Sequence, residues 1–359
     1  LVSVGSGTLS DIAKVAAHRS NVPVHILLQT AASVDGFTDN FSVILQNGVK
    51  KTILSRWPEA VLADVLTIAE APSHLTAAGM GEMMSTFCAP GDWYLANSIG
   101  TDDTFTPVLL ELLSISSSGI EEWSKGVADR KIENVRALTN ALNLRGIVTG
   151  CGGTTATLSG MEHLFSHMLD MFAGEQHIKL GLHGAQVGVG SIIRAVAWEV
   201  FCERMQETPI NFNCLNISEV AHKHTISAAF LSLDPSGKIG IECEKRYNSK
   251  LKSLVDSWEK VEAFFKNWIK HKDAHDRLVL TAQQIANYLD RSNAPMRFDE
   301  LDPPVSENTA RWVIKNCMFM RERFTIADLL YLAGWLDQDG VNRIMRRVDD
   351  VIIVARGAK

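Results

Sequence analysis

Apolar and polar positions divide the chain into two textures. Leu1-Val2-Ser3-Val4 is a short apolar run that predicts a buried strand, and Gly5-Ser6-Gly7 follows it. From Thr8 to about His18 the spacing is helical. Val22 to Leu28 predicts a second strand, with Pro23 near its start. Phe41 to Leu45 and Thr52 to Leu54 flank Asn47-Gly48, a hairpin signal. Val61 to Val65 predicts a further strand. Strands alternating with helices predict a mostly parallel α/β sheet.

After Ala71-Pro72, strand-like runs become rare and helical periodicity takes over. The spacing predicts helices over 74–89, 105–117, 121–126, 130–148, 159–173, 183–205, 249–270, 280–290, 307–321, 325–335 and 339–347. Residues 206–247 are less regular and contain the turn Asp234-Pro235-Ser236-Gly237. Val351 to Ala355 reads as a late strand or an ordered tail. The expected layout is a small α/β part followed by a large all-helical part.

Length and charge narrow the function classes. A chain of 359 residues suggests two domains. A formal charge of −6 argues against a nucleic-acid binder, which usually carries a basic stripe. No stretch approaches the ~18–20 uninterrupted apolar residues of a membrane span. The 6 cysteines are scattered, with no C-x-x-C pair, which fits free thiols in a reducing compartment. The N-terminus lacks a signal-peptide pattern, so a cytoplasmic location is expected. Leu1 to Val4 already reads as strand, so the chain reads as beginning inside a domain.

Four segments carry candidate chemistry. In Val4-Gly5-Ser6-Gly7-Thr8-Leu9-Ser10-Asp11, glycines between strand and helix let a phosphate approach the backbone. The same residues also suit a plain tight turn, and Thr8 with Asp11 resembles a capping box. In Ser159-Gly160-Met161-Glu162-His163-Leu164-Phe165-Ser166-His167, the two histidines share one helix face. Both can ligate a metal, one can ligate while the other handles a proton, or both can be hydrogen-bonded helix residues. His183 opens the glycine-rich run Gly184, Gly188 and Gly190, and with His163 it gives two imidazoles from adjacent helices. Asp35 and Glu82 stand among small residues; Asp35 suits a turn before Gly36, and Glu82 suits a solvated helix position or a metal ligand. One Glu and two His form a known catalytic zinc set.

Taken in order, the glycine loop, Thr30-x-x-Ser33-x-Asp35-Gly36, Ala78-Gly79-x-Gly81-acid, Ser159-Gly160-x-Glu162-His163-x-x-Ser166-His167 and His183-Gly184-x-x-Val187-Gly188 resemble the sn-glycerol-1-phosphate dehydrogenases. These lie within the iron-containing alcohol dehydrogenase and dehydroquinate synthase group. Arg321-Glu322-Arg323-Phe324-Thr325-Ile326-Ala327-Asp328 resembles that family's C-terminal helices. The likeness covers residues 1 to about 205 and about 295 to 347, with 206–290 as an elaboration. It implies a partial Rossmann-like dinucleotide-binding part at 1–70, without its N-terminal strands, and a helical metal-binding domain at 71–359.

The resemblance also implies roles. Gly5, Ser6, Gly7 and Thr8 would hold the pyrophosphate of NAD(P)H, with Thr30, Ser33 and Asp39 nearby. Asp35 and His167 would meet the substrate. Glu82, His163 and His183 would bind one divalent metal, zinc or alternatively nickel or iron. The implied reaction is reversible reduction of dihydroxyacetone phosphate or a related small ketone, by a protein that is a homodimer. Four positions depart from the family pattern: Glu82 replaces Asp, Thr86 replaces Lys, Ala156 replaces Arg and Asp39 replaces a small hydroxyl residue near the cofactor. Loss of two cations points toward a different ketone or polyol. A cyclase or lyase of the dehydroquinate-synthase kind and a catalytically silent binding subunit are the alternative functions.

Three further features read as structural. The stripe Leu251, Leu254, Val255, Trp258, Val261, Phe265, Trp268 and Ile269 suits one core-packed amphipathic helix. His222-Lys223-His224 suits an exposed turn or strand, and Arg343, Arg346 and Arg347 a solvated helix face.

Overall fold

The structure is a computed structural model and describes residues 1–46 and 49–357. Its strands are β1 (Val2–Gly5), β2 (Ile26–Gln29), β3 (Phe41–Gln46), β4 (Val49–Leu54) and β5 (Ala60–Ala63). β1, β2 and β5 form a parallel sheet with β2 in the centre, in register Val2 to Ile26 and Ile26 to Ala60. β3 and β4 form a separate antiparallel pair, Phe41 opposite Leu54. The expected hairpin is therefore present in its strands, while Asn47 and Gly48 lie outside the described residues.

Helix α1 (Gly7–Arg19) joins β1 to β2. The helical part runs α2 (Val65–Glu70), α3 (Ser73–Met83), α4 (Ala89–Ser98), α5 (Pro107–Ser116), α6 (Ile120–Trp123), α7 (Ile132–Gly152), α8 (Met161–Glu175) and α9 (His183–Glu207). It continues with α10 (Glu219–Leu231), α11 (Lys238–Asp256), α12 (Trp258–Lys266), α13 (Trp268–Asp276), α14 (Ala282–Arg291), α15 (Glu307–Asn316), α16 (Ile326–Leu332) and α17 (Gln338–Gly357). α9 packs against α3, α8, α14, α16 and α17. By length and hydropathy α9 could cross a bilayer, but 94% of its apolar window is buried in the protein, so it is the core helix. That residue run is more apolar than a count of uninterrupted residues suggests.

Several expectations are corrected. The irregular region holds α10 and most of α11. The single helix expected over 249–270 is α11, α12 and α13, broken at Ser257 and Asn267. Ser257 Oγ donates to the Gly100 carbonyl at 2.9 Å, and the Asn267 side chain donates to the Ala263 carbonyl at 2.8 Å, beside the Asn267 backbone bond to the same carbonyl at 3.1 Å, so each break carries a side-chain bond to backbone. Of the stripe, Leu251, Leu254, Val261 and Phe265 are buried, whereas Val255 and Ile269 are exposed. Val351 to Ala355 is helical, within α17: Val351, Ile352 and Ala355 face the core and Ile353 and Val354 face out. His222 is buried inside α10, with Nδ1 2.9 Å from Tyr331 Oη and Nε2 2.8 Å from the Asn216 carbonyl. Arg343 pairs with Glu203 at 2.9 Å and Glu207 at 3.0 Å. All 6 cysteines are free, as the spacing suggests.

The small residues of α3 and α9 set how closely these helices meet. A Cβ on Gly81 would lie 2.1 Å from the Gly184 carbonyl oxygen, and one on Gly184 would lie 2.1 Å from that of Ala78. Backbone against backbone leaves no room for a side chain. The crossing brings Glu82, near the end of α3, to the first residue of α9, His183.

Candidate metal and dinucleotide site

Glu82, His163 and His183 converge. One ligand atom from each lies within 4.8 Å of the others. His163 Nε2 is 3.4 Å from Glu82 Oε1, and His183 Nε2 is 3.7 Å from Glu82 Oε2. Glu82 is buried, not solvated, and its Oε2 has no hydrogen-bond partner. A buried carboxylate oxygen without a partner costs free energy unless a cation meets it.

The outer ring nitrogens are fixed. Glu162 Oε1 accepts from His163 Nδ1 at 2.9 Å. Ser166 Oγ donates to Gln186 Oε1 at 2.7 Å and is 2.8 Å from His183 Nδ1. The serine proton is committed to Gln186, so Ser166 accepts from Nδ1–H of His183. Both imidazoles thus turn Nε2 toward Glu82, the tautomer a metal needs. The donor set and its orphaned oxygen fit a divalent ion of the zinc type.

Electrostatics agree with that fit. Burial works against the charge of Glu82, but the hydrogen bond and charge of His163, with the charge of Arg145, outweigh it and hold the pKa at about 2. Burial also disfavours protonated His163, yet its bonds to Glu162 and Glu82 raise it to about 9. His183 and His167 are held neutral, first by burial and then by positive charges that include Lys50 and Arg321.

As a first expected outcome, Ser166→Ala should weaken zinc binding by roughly 10- to 100-fold, the usual effect of losing an outer-shell partner, with the fold retained. Competition with a chromogenic chelator reads this directly; unchanged affinity would show that Ser166 does not set the His183 ring.

The triad opens into a cleft of about 370 Å³ lined also by Ser6, Gly7, Thr8, Ser33, Asp35, Asp39 and His167. Seven of the nine expected positions other than the three metal ligands therefore line the cleft; Gly5 and Thr30 do not, and there the Thr30 amide donates to the Gly5 carbonyl at 3.1 Å. The Thr8–Asp11 capping pair does not form. α1 begins at Gly7, Ser6 is its N-cap without a side-chain bond, and Asp11 accepts from the Val43 amide at 3.2 Å. The uncapped first turn leaves backbone donors for an anion.

Two cations escaped the sequence reading. Arg145, fully buried on α7, reaches Asp35 Oδ2 at 3.1 Å, Glu82 Oε1 at 3.4 Å and Ser85 Oγ at 2.7 Å. Lys14 on α1 donates to Asp39 Oδ1 at 2.6 Å and the Gly36 carbonyl at 2.7 Å, pinning the loop after β2. Burial raises the Asp39 pKa to about 6 against the pull of Lys14. Thr86 and Ala156 are both buried. A wider groove of about 640 Å³ lies between α9, α13, α14 and α17, but Glu199, Lys272, Asp276, Arg347 and Asp350 mix both signs of charge there.

The fold is the one seen in solved glycerol dehydrogenases. The iron-containing alcohol dehydrogenase family profile matches residues 1–72. A probable glycerol dehydrogenase from Sinorhizobium meliloti superposes with a TM-score of 0.55 at 15% identity, covering 99% of this chain and 77% of that one. Glycerol dehydrogenase from Schizosaccharomyces pombe gives 0.55 at 14%, covering 97% and 71%.

In sequence the chain is similar to the glycerol-1-phosphate dehydrogenases, as its motifs indicate. The NAD(P)+ enzyme of Thermococcus sibiricus is 36% identical over 208 residues, 58% of each chain. That of Geobacillus thermodenitrificans is 32% identical over 210 residues, 57% of this chain and 52% of that one. The chain thus spans little more than half the length of the curated relatives it matches.

Proposed function

We propose that the chain is a metal-dependent, NAD(P)-linked oxidoreductase that interconverts dihydroxyacetone phosphate and sn-glycerol 1-phosphate, or a closely related ketone and alcohol. The observation that carries this reading is the meeting of Glu82, His163 and His183, with both histidines lining the same cleft as Ser6, Gly7 and Thr8. The names of the relatives supply the substrate.

In this reading Glu82, His163 and His183 hold a divalent ion, zinc first and nickel or iron as alternatives. Such an ion, when bound, supplies Lewis acidity toward a carbonyl oxygen. NAD(P)H, when bound, supplies the hydride. Glu162 and Ser166 keep both Nε2 atoms turned inward. Ser6, Gly7 and Thr8 offer the amides of the uncapped first turn of α1 to the pyrophosphate, with Ser33 and Asp39 on the facing loop. Arg145 keeps Asp35 and Glu82 in place. Asp35 accepts from a substrate hydroxyl, and His167, neutral and with its buried Nδ1 unpartnered, bonds a second polar group of the substrate. An intact ligand triad with Glu82 and His163 buried favours this over a silent binding subunit.

The test is oxidation of NADH and of NADPH by zinc-loaded protein given dihydroxyacetone phosphate. Turnover that a chelator abolishes and zinc restores is expected. Zinc-loaded protein that binds cofactor yet reduces neither this ketone nor dihydroxyacetone would overturn the reading.

A further inference from the structure

We propose that Arg321 is the anion-recognising residue of this cleft and selects ketones that carry a phosphate. The proposal rests on the functional reading above and adds the residue that sets specificity.

Five lysine and arginine residues are buried among the described residues: Lys14, Arg145, Arg194, Lys250 and Arg321. Four of them meet a carboxylate. Lys14 pairs with Asp39 at 2.6 Å, Arg145 with Asp35 at 3.1 Å, Arg194 with Asp92 at 2.9 Å and Lys250 with Asp328 at 2.7 Å. Arg321 is the exception. Its Nη2 donates to Thr52 Oγ1 at 2.9 Å and its Nη1 to Ser159 Oγ at 3.5 Å, both neutral hydroxyls. Its charged neighbours include Arg323 and Arg246, of its own sign, against Glu322. Glu322 is exposed and faces Arg246 at 3.6 Å.

A buried guanidinium without a counter-ion is costly, and a bound anion removes that cost. Arg321 lines the same cleft as the metal triad. It is 9% exposed, so its charge is little screened by water. The planar fork suits phosphate oxygens, and the Thr52 and Ser159 hydroxyls stand beside it as further donors. Lys50, two residues before Thr52 on β4, lines the cleft too, but Asp170 already neutralises it. Arg321 therefore supplies the positive charge that Thr86 and Ala156 do not.

The experiment compares wild type, Arg321→Met and Arg321→Lys. Calorimetric titration with inorganic phosphate needs neither cofactor nor turnover. Phosphate should bind Arg321→Met about 10- to 100-fold more weakly, the range for a lost charged hydrogen bond, with partial recovery in Arg321→Lys. The ratio of kcat/KM for dihydroxyacetone phosphate to that for dihydroxyacetone should fall by a similar factor. NAD(P)H affinity should hold. Equal phosphate affinity in wild type and both variants overturns the proposal, as does a loss confined to NAD(P)H binding, which would assign Arg321 to the cofactor. If Arg321→Met does not fold, Arg321→Lys against wild type decides alone. Wild type that binds phosphate through Arg321 but reduces no ketone would overturn the dehydrogenase reading and leave the anion site standing.

Discussion

Replacing His163 with alanine should strip the metal from the protein and abolish turnover while the fold survives. His163 gives one Nε2 to the triad, and its ring neighbours are His167 at 6.3 Å and His183 at 5.2 Å between centroids. It fills no apolar core, so its loss should change stability of the ion-free protein by no more than about 1–2 kcal/mol. Glu82 would still have Arg145, and Glu162 would still accept from the Gly160 amide at 2.7 Å. Metal affinity should fall well beyond the roughly 10- to 100-fold of an outer-shell change, because a ligand itself is gone. Elemental analysis after gel filtration and a urea titration read the two effects separately. A variant that kept stoichiometric metal would sink the ligand assignment.

Arg145→Met should have the largest effect on stability. The guanidinium is fully buried, and it serves Asp35, Glu82 and Ser85 at once. Methionine fills much of the volume but leaves two carboxylates without their cation. Breaking a buried ion pair from one side costs about 3–5 kcal/mol. The loss should be smaller with zinc bound, since the ion then neutralises Glu82. Urea unfolding with and without zinc gives both numbers. A loss under about 1 kcal/mol in the ion-free protein would contradict the view that Arg145 holds the two carboxylates in place.

The grouping of Glu82, His163 and His183 was legible through the ordered motifs that carry the family resemblance, and less so from any one motif. His163 and His167 share a helix face at a spacing of four, and His183 and Glu82 stand among glycines that only a close helix crossing explains. Arg145 and Lys14 were not legible. Their partners lie 110 and 25 residues away, and no local pattern announces a pairing at that distance. α4 escaped for a different reason. Ala89, Pro90, Gly91, Asp92, Trp93, Leu95 and Ala96 are all buried, so the helix has no polar face and no 3.6-residue period to detect. Val351 to Ala355 misled in the opposite way: a β-branched run resembles a strand, yet its buried positions follow helical spacing once α17 packs on α9 and α14. The strands, in contrast, were placed to within a few residues, because short apolar runs bounded by Gly, Pro and Asn carry their own boundaries.

The central claim is that Glu82, His163 and His183 bind one metal ion that serves ketone reduction. Anomalous diffraction at the zinc edge, from crystals grown with zinc, tests it most directly. One peak per chain is expected, with a Glu82 carboxylate oxygen and both Nε2 atoms at about 2.0–2.2 Å. Saturating zinc that leaves the triad empty, or a single strong peak elsewhere in the chain, would contradict it.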